Sequence, residues 1–338
     1  MKICYGIKNS HEPNFFKSFI NYFAQKEYEQ FIIARDYIEV HDLLDQLNLP
    51  YMSIGKHYGG NKLMKLLGLI INDFLIAVKA PRFDVSISHA NTYLIHASKL
   101  RNKKTITFTD NDISFNLRTY NKVVDYLLTP AAIPRDKLLR RGCREKTIYQ
   151  YNGFKEDIYI ADYSPDEAFL KKIPFKNFVT IRGESLNAHY IPTGTQSIVP
   201  ELFKIFKKNK INILFLPRYN SDRKYADGFN NVYMPEKSLN GLDVCYYSKA
   251  VLTGAGTFAR EAAIIGTPAV SFFPRNDLLA VDKRMIENNL MLHSRNPDEI
   301  FNYISNSRKN DFNPTRSKKV QNSVFQIIES MLQKISKN

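Results

Sequence analysis

The sequence predicts an α/β protein made of two doubly wound parallel sheets in tandem, facing a cleft. Three observations carry this. Short apolar runs rich in Val, Ile, Tyr and Phe alternate with longer amphipathic stretches along most of the 338 residues. The runs are continuously apolar rather than alternating, as parallel strands covered on both faces are. The rhythm pauses once, over the polar, proline-containing stretch Asn152–Pro174, and then restarts.

Taken in order, KICYGI (2–7), QFIIAR (30–35), YMSI (51–54), DVSIS (84–88), TITFT (105–109), YLLT (126–129) and TIYQY (147–151) read as strands. Pro13–Lys26, Asn91–Arg101 and Pro134–Arg141 read as helices between them. After the pause come NFVTIR (177–182), INILFLP (211–217), VYMP (232–235), AVLTG (250–254), PAVSFF (268–273) and a last strand at Leu290–His293. The expected layout is a first domain at 1–158, a linker at 159–174, a second domain at 175–316 and a C-terminal helix at 317–338. Ligands are then expected at the carboxyl ends of the strands.

Composition narrows the function. Lys plus Arg is 48 against 33 Asp plus Glu, a net charge of +15, which favours acidic partners. The basic residues are dispersed, and no nucleic-acid-reading motif is present, so a specific nucleic-acid partner is not expected. Cys4, Cys143 and Cys245 stand apart without a CxxC pair, so no metal site is expected and a reducing cytoplasm is. Leu63–Ala80 is the most apolar window, but Lys65 and Asp73 interrupt it, which speaks against a membrane span.

The stretch TGAGTFAREAAIIGTPAVSFF (253–273) carries the chemistry. The strand ends in Gly254-Ala255-Gly256, Thr257 is the expected N-cap, and a helix runs over Phe258–Ile265 until Gly266 stops it. Glycines admit close approach of a ligand, and a helix N-terminus suits a phosphate. Glu261, one turn in, is placed to accept both hydroxyls of a ribose. The alternative is a plain strand-to-helix turn.

This pattern, T-x-x-x-E-A-A-x-x-G-x-P after a glycine turn, is similar to the donor-binding segment of GT-B enzymes. These include the non-hydrolysing UDP-N-acetylglucosamine 2-epimerases and the MurG-type glycosyltransferases. The matching residues are Gly254, Gly256, Thr257, Glu261, Ala262, Ala263, Gly266 and Pro268. Over nearly the whole chain the sequence also resembles a domain-of-unknown-function family of archaea and bacteria placed beside those enzymes. NFFKSFI, IARDY, PYMSIGKHYGG, DVSISHAN, GFKEDIY and LPRY carry that likeness. The resemblance implies two Rossmann-like domains, the first for an acceptor and the second for a UDP-linked sugar, with no cofactor beyond that substrate.

His89-Ala90-Asn91-Thr92 resembles the epimerase pattern H-G-D-T, with Asn91 where a carboxylate base stands. Thr180-Ile181-Arg182-Gly183-Glu184 only echoes a second, histidine-bearing epimerase pattern. Both departures favour glycosyl transfer over epimerisation. His89, Asp110 and His189 are the candidate acid–base groups. Asp112 reads as an N-cap for a helix at Ile113. Arg182 and Arg218 are candidates for the diphosphate charge, acting without a metal. His11, Asn14 and Asn91 are candidate acceptor contacts, and Gly55–Asn61 reads as a glycine-rich closing loop. Lys62–Arg82 reads as a core helix with basic ends, or as a surface for peripheral membrane contact through which a lipid-linked or glycan acceptor is reached. A non-catalytic sugar-nucleotide or polyanion-binding protein is the reading from another class.

Overall fold

The computed structural model describes residues 1–9, 11–56, 62–114, 117–187, 191–275 and 277–337. The chain divides into two compact units, residues 1–159 with 317–338, and residues 160–316.

Unit 1 alternates strand and helix: β1 (Lys2–Ile7), α1 (Glu12–Ala24), β2 (Glu29–Ala34), α2 (Ile38–Gln46), β3 (Tyr51–Ser53), α3 (Lys62–Lys79) and β4 (Val85–His89). It continues with α4 (Thr92–Leu100), β5 (Lys104–Phe108), α5 (Leu117–Tyr120), β6 (Tyr126–Pro130), α6 (Arg135–Arg140), β7 (Ile148–Tyr151) and α7 (Lys155–Ile160). The seven strands form one sheet in the order β3-β2-β1-β4-β5-β6-β7. Every pair is parallel.

Unit 2 contains β8 (Val179–Arg182), α8 (Val199–Lys208), β9 (Ile213–Leu216), β10 (Val232–Tyr233), α9 (Gly241–Tyr247), β11 (Val251–Thr253) and α10 (Gly256–Ile265). Then come β12 (Ala269–Ser271), α11 (Ala280–Glu287), β13 (Leu292–His293) and α12 (Pro297–Asn306). Its six-stranded sheet runs β10-β9-β8-β11-β12-β13, again all parallel. The last helix, α13 (Thr315–Ser336), returns to unit 1.

The strands form because Val, Ile and Phe bury both faces of each sheet. In unit 2, Val179 and Ile181 of β8 meet Leu252, Val270, Phe203 and Phe206 in one cluster. In unit 1, α1 presents Phe15, Phe16, Phe19 and Phe23, all fully buried, at helical spacing. Phe325 of α13 packs against Phe19 at 5.2 Å and stacks on Tyr22 at 4.1 Å. Burying each such ring stabilises by about 1.5–3 kcal/mol, so α13 is an integral layer of unit 1. Gln321 donates to the carbonyl of Ile158 at 2.9 Å, and Ser317 to Asp157 at 2.9 Å, which ties α13 to α7.

Each sheet changes winding direction once. In unit 1 the chain leaves β1 toward β2 and β3, then returns on the other side as β4. In unit 2 the same reversal separates β8 from β11. Crevices at such switch points, outside the carboxyl ends of the strands, are where open α/β sheets take ligands.

The helix α3 packs one face into the core, through Leu75, Ile76 and Ala77, and leaves the other outside. Leu67, Ile70, Ile71, Phe74 and Val78 lie on one of its faces and are exposed, Phe74 and Val78 by 64% each. The opposite face carries Asn72, Asp73 and Ile76 inward. Lys79 and Arg82 at its end are exposed. The side chains of Lys62 and Lys65, and residues 57–61 of the glycine-rich loop, lie outside the described residues. Among the described residues no helix is long and apolar enough to cross a membrane.

Candidate functional site

In unit 2 the switch point is lined by the end of β8 and the β11–α10 turn. Gly254 is required there by close approach. A Cβ on it would fall 2.5 Å from Cγ and 2.6 Å from Cα of Glu184. Glu184 is buried and held by three hydrogen bonds. Its carboxylate accepts from Ser197 Oγ at 2.7 Å, the Ile198 N–H at 3.2 Å and Arg295 Nη1 at 3.1 Å.

Helix α10 starts two residues earlier than the sequence suggests. Ala255 occupies the N-cap position with extended backbone, and no side chain caps the helix. Thr253 Oγ1 instead accepts the Ala255 N–H at 3.0 Å, so the Thr257 N-cap expectation is corrected. Thr257 lies in the first turn, where its hydroxyl accepts from Arg260 Nη2 at 3.2 Å. The freed N–H groups of the first turn and the positive end of the helix dipole lie beside the switch point. Gly266, at φ 95°, ends the helix in the left-handed conformation that glycine tolerates.

Glu261 is half-buried, one turn into α10. Arg182 ends β8, its guanidinium 5.9 Å over the Phe258 ring, and Arg218 after β9 is exposed. The sequence reading missed Arg260. It is 2% exposed and donates to Asp282 Oδ1 at 2.6 Å. A Cβ at Gly256 would come 2.9 Å from its Nη1, so the glycine turn and this ion pair are packed as one piece.

In unit 1 the loops after β1 and β4 flank the switch point and bring together a second polar group. His89, the last residue of β4, is buried. Its Nδ1 lies 3.9 Å from Oε1 of Glu12, and its Nε2 lies 3.2 Å from Oδ1 of Asp110, off the line a hydrogen bond needs. Asp110 Oδ2 accepts Lys155 Nζ at 2.9 Å, and Lys155 is 2% exposed. His11 meets the His89 ring edge-on at 5.5 Å. His11, Glu12 and His89 each present a ligand atom, all within 4.8 Å of one another.

Glu12, fully buried, accepts the Lys8 N–H at 2.6 Å and Asn9 Nδ2 at 2.8 Å. Lys8 Nζ donates to the Ala90 carbonyl at 2.5 Å, and Ala90 holds φ 48°, rare for a residue with a side chain. Burial pushes the Lys8 ammonium below its ordinary value; Glu12 opposes this and Arg35 adds to it.

Other sequence expectations sort differently. Asn91 is buried and its side chain caps α4, accepting the Leu94 N–H at 3.4 Å. Ile113 does not open the helix expected there; Asp112 lies before α5. It pairs with Lys137 at 3.1 Å, while Asn111 Oδ1 accepts the Ile113 N–H. Asn14 is half-buried in α1. His189 lies outside the described residues. Glu12, Lys8 and Lys155 were missed; only their places beside strand ends and helix starts could have marked them.

Comparison with known proteins places this geometry. The sequence profile of the family described as a protein of unknown function, DUF354, matches residues 1–336. The chain belongs to that family. An uncharacterized protein of Methanocaldococcus jannaschii, MJ0665, is 27% identical over 321 residues, covering 89% of this chain and 90% of the relative. Among solved structures, the UDP-GlcNAc 2-epimerase of the same organism, in complex with UDP-GlcNAc and UDP, superposes with a TM-score of 0.70 at 17% identity. That match covers 97% of this chain and all of the epimerase. The glycotransferase of kitacinnamycin superposes at 0.62 with 10% identity, over 97% of this chain and 98% of that one. The fold is therefore that of the GT-B-like epimerases and transferases: two parallel α/β sheets in one chain.

Proposed function

We propose that this protein is an enzyme that binds a UDP-linked sugar and transfers its glycosyl group without a metal at the diphosphate. The β11–α10 turn carries the reading. A glycine pair at a switch point, a ten-residue helix opening there and a glutamate one turn in form a diphosphate-and-ribose cradle. Gly254, Ala255, Gly256 and Thr257 take the phosphates, Glu261 the ribose diol, and Arg182 and Arg218 the leaving-group charge. In unit 1, His89 takes the acceptor proton, with Asp110 beside it, and His11 and Asn14 contact the acceptor.

A membrane-borne acceptor is supported by the exposed apolar face of α3, bordered by Lys79 and Arg82. Sugar-nucleotide 2-epimerisation is the second reading, favoured by His89, which lies beside two carboxylates as a proton-transfer group would. Asn91 in place of a carboxylate weighs against it.

Incubation with UDP-N-acetylglucosamine in deuterated water separates the two. Epimerisation must exchange the C2 proton with solvent; transfer, or slow hydrolysis to UDP, leaves it in place. The expected NMR result is UDP release with no deuterium at C2, and deuterium there replaces transfer with epimerisation.

A further inference from the structure

The cluster at the unit 1 switch point has the construction of a metal site. Among the described residues, His11, Glu12 and His89 are the one group of three His, Cys, Asp or Glu side chains close enough to share an ion. They come from two separate chain segments, the turn into α1 and the end of β4. Glu12 is fully buried and His89 is 7% exposed, whereas His11 is half-buried and leaves an accessible edge. Ligand atoms about a tetrahedral zinc lie roughly 3.3 Å apart, given Zn–N and Zn–O near 2.0–2.1 Å. Nδ1 of His89 and Oε1 of Glu12, 3.9 Å apart, already approach that spacing.

The surroundings of the ligands argue further. A metal-bound histidine hands its second ring N–H to a carboxylate or carbonyl, which fixes its tautomer. His89 already has this support: Nδ1 faces Glu12, and Nε2 is buried 3.2 Å from Asp110 without an aligned hydrogen bond. A small ring rotation completes it. Asp110 is itself held by Lys155 at 2.9 Å, and α13 buttresses the helix that carries Lys155. Glu12 is fixed in the same manner by the Lys8 and Asn9 N–H groups on Oε2, leaving Oε1 with the Asn9 amide and His89 as neighbours.

Charge does not forbid a cation here. The carboxylates of Glu12, Asp110 and Glu156 stand against Lys8 and Lys155. The Lys8 amine is engaged by the Ala90 carbonyl.

The geometry points to a divalent transition-metal site of the zinc class at His11, Glu12 and His89, with Asp110 and Lys155 as its support. Two imidazoles and one carboxylate suit zinc and leave a fourth position for water; calcium and magnesium demand more oxygens. Water bound there would be acidified toward neutrality. The site is in unit 1, whereas the diphosphate cradle is in unit 2, and the inference does not rest on the sugar-nucleotide reading; with an ion bound, its water would take the acceptor proton in place of the His89 imidazole.

The test uses the full chain, stripped with a chelator and titrated with Zn²⁺ by calorimetry and with Co²⁺ by absorption spectroscopy, with no nucleotide present. The expected result is one ion per chain and the intense visible bands of four-coordinate Co²⁺. Affinity falls about tenfold or more in His11→Ala and Glu12→Gln, and about 10–100-fold in Asp110→Asn. Melting curves verify that the variants fold. If the buried Glu12 and Asp110 variants do not, His11→Ala, at a half-buried position, decides alone. Absence of binding, the weak bands of six-coordinate Co²⁺, or wild-type affinity in His11→Ala overturns the site.

Discussion

Gly254→Ala tests the packing beneath the proposed cradle. The added Cβ would sit 2.5 Å from Glu184 Cγ, 2.6 Å from its Cα and 2.9 Å from its Cβ. Carbon pairs are comfortable at about 3.5–4.0 Å, so the overlap is about 1 Å and includes a backbone atom. Two responses are open. Glu184 gives way and loses Ser197, the Ile198 N–H and Arg295, leaving a buried carboxylate unpaired, at about 3–5 kcal/mol. Alternatively the β11–α10 turn shifts outward, at about 1–3 kcal/mol for overpacking. The cheaper route wins, so the turn moves. For a unit the size of residues 160–316, each kcal/mol lowers Tm by about 2–4 °C. The expected loss is about 2–12 °C by scanning calorimetry. If the amides of this turn hold phosphate as proposed, moving them by about 1 Å also weakens UDP binding. Gly241→Ala is the control, because its Cβ meets only Phe258 at an ordinary 3.7 Å. A Gly254→Ala protein with wild-type Tm and UDP affinity refutes the reasoning.

Two further outcomes are expected. His96 Nδ1 lies 2.8 Å from Asp73 Oδ2 and Nε2 2.9 Å from the Thr119 carbonyl, so both ring nitrogens face acceptors, and the Asp73 hydrogen bond raises its pKa above the usual histidine value. A raised histidine adds stability below its unfolded pKa of about 6.5 and loses it as pH climbs through the folded value. The stability gap between wild type and His96→Gln by urea denaturation therefore narrows as pH rises from about 6.5 through the raised folded value; a widening gap contradicts this. For the membrane-facing reading of α3, the protein should co-sediment with anionic vesicles at low salt and release at high salt. The exposed double substitution Phe74→Asp with Val78→Asp should abolish this, and vesicle binding that survives it removes α3 as the contact.

The strands were legible because both faces of each sheet are buried, so residues such as those of INILFLP and PAVSFF must be apolar in unbroken runs. The glycine turn at 254–256 was legible because its steric need leaves a composition mark. Side-chain pairs between distant segments leave no such mark. Arg260 reads as an ordinary helix residue until Asp282 is seen beside it, and Lys155 until Asp110 is. The return of α13 to unit 1 depends on Phe325 and Gln321 meeting Phe19 and Ile158, which no local period encodes. In α3, apolar residues occur on both faces, so periodicity alone did not reveal that one face is exposed. The cap expected at Thr257 was misassigned because Thr253, four residues upstream, competes for the N–H groups of the same turn.

The central claim is that the β11–α10 turn and Glu261 hold a uridine diphosphate. Calorimetric titration of UDP into wild type and Glu261→Gln tests it most directly. The account predicts binding by the wild type and a loss of about 1.5–3 kcal/mol in the variant, about 10- to 150-fold in Kd, with Tm unchanged. No UDP binding to the wild type, or equal affinity in the two proteins, would contradict it.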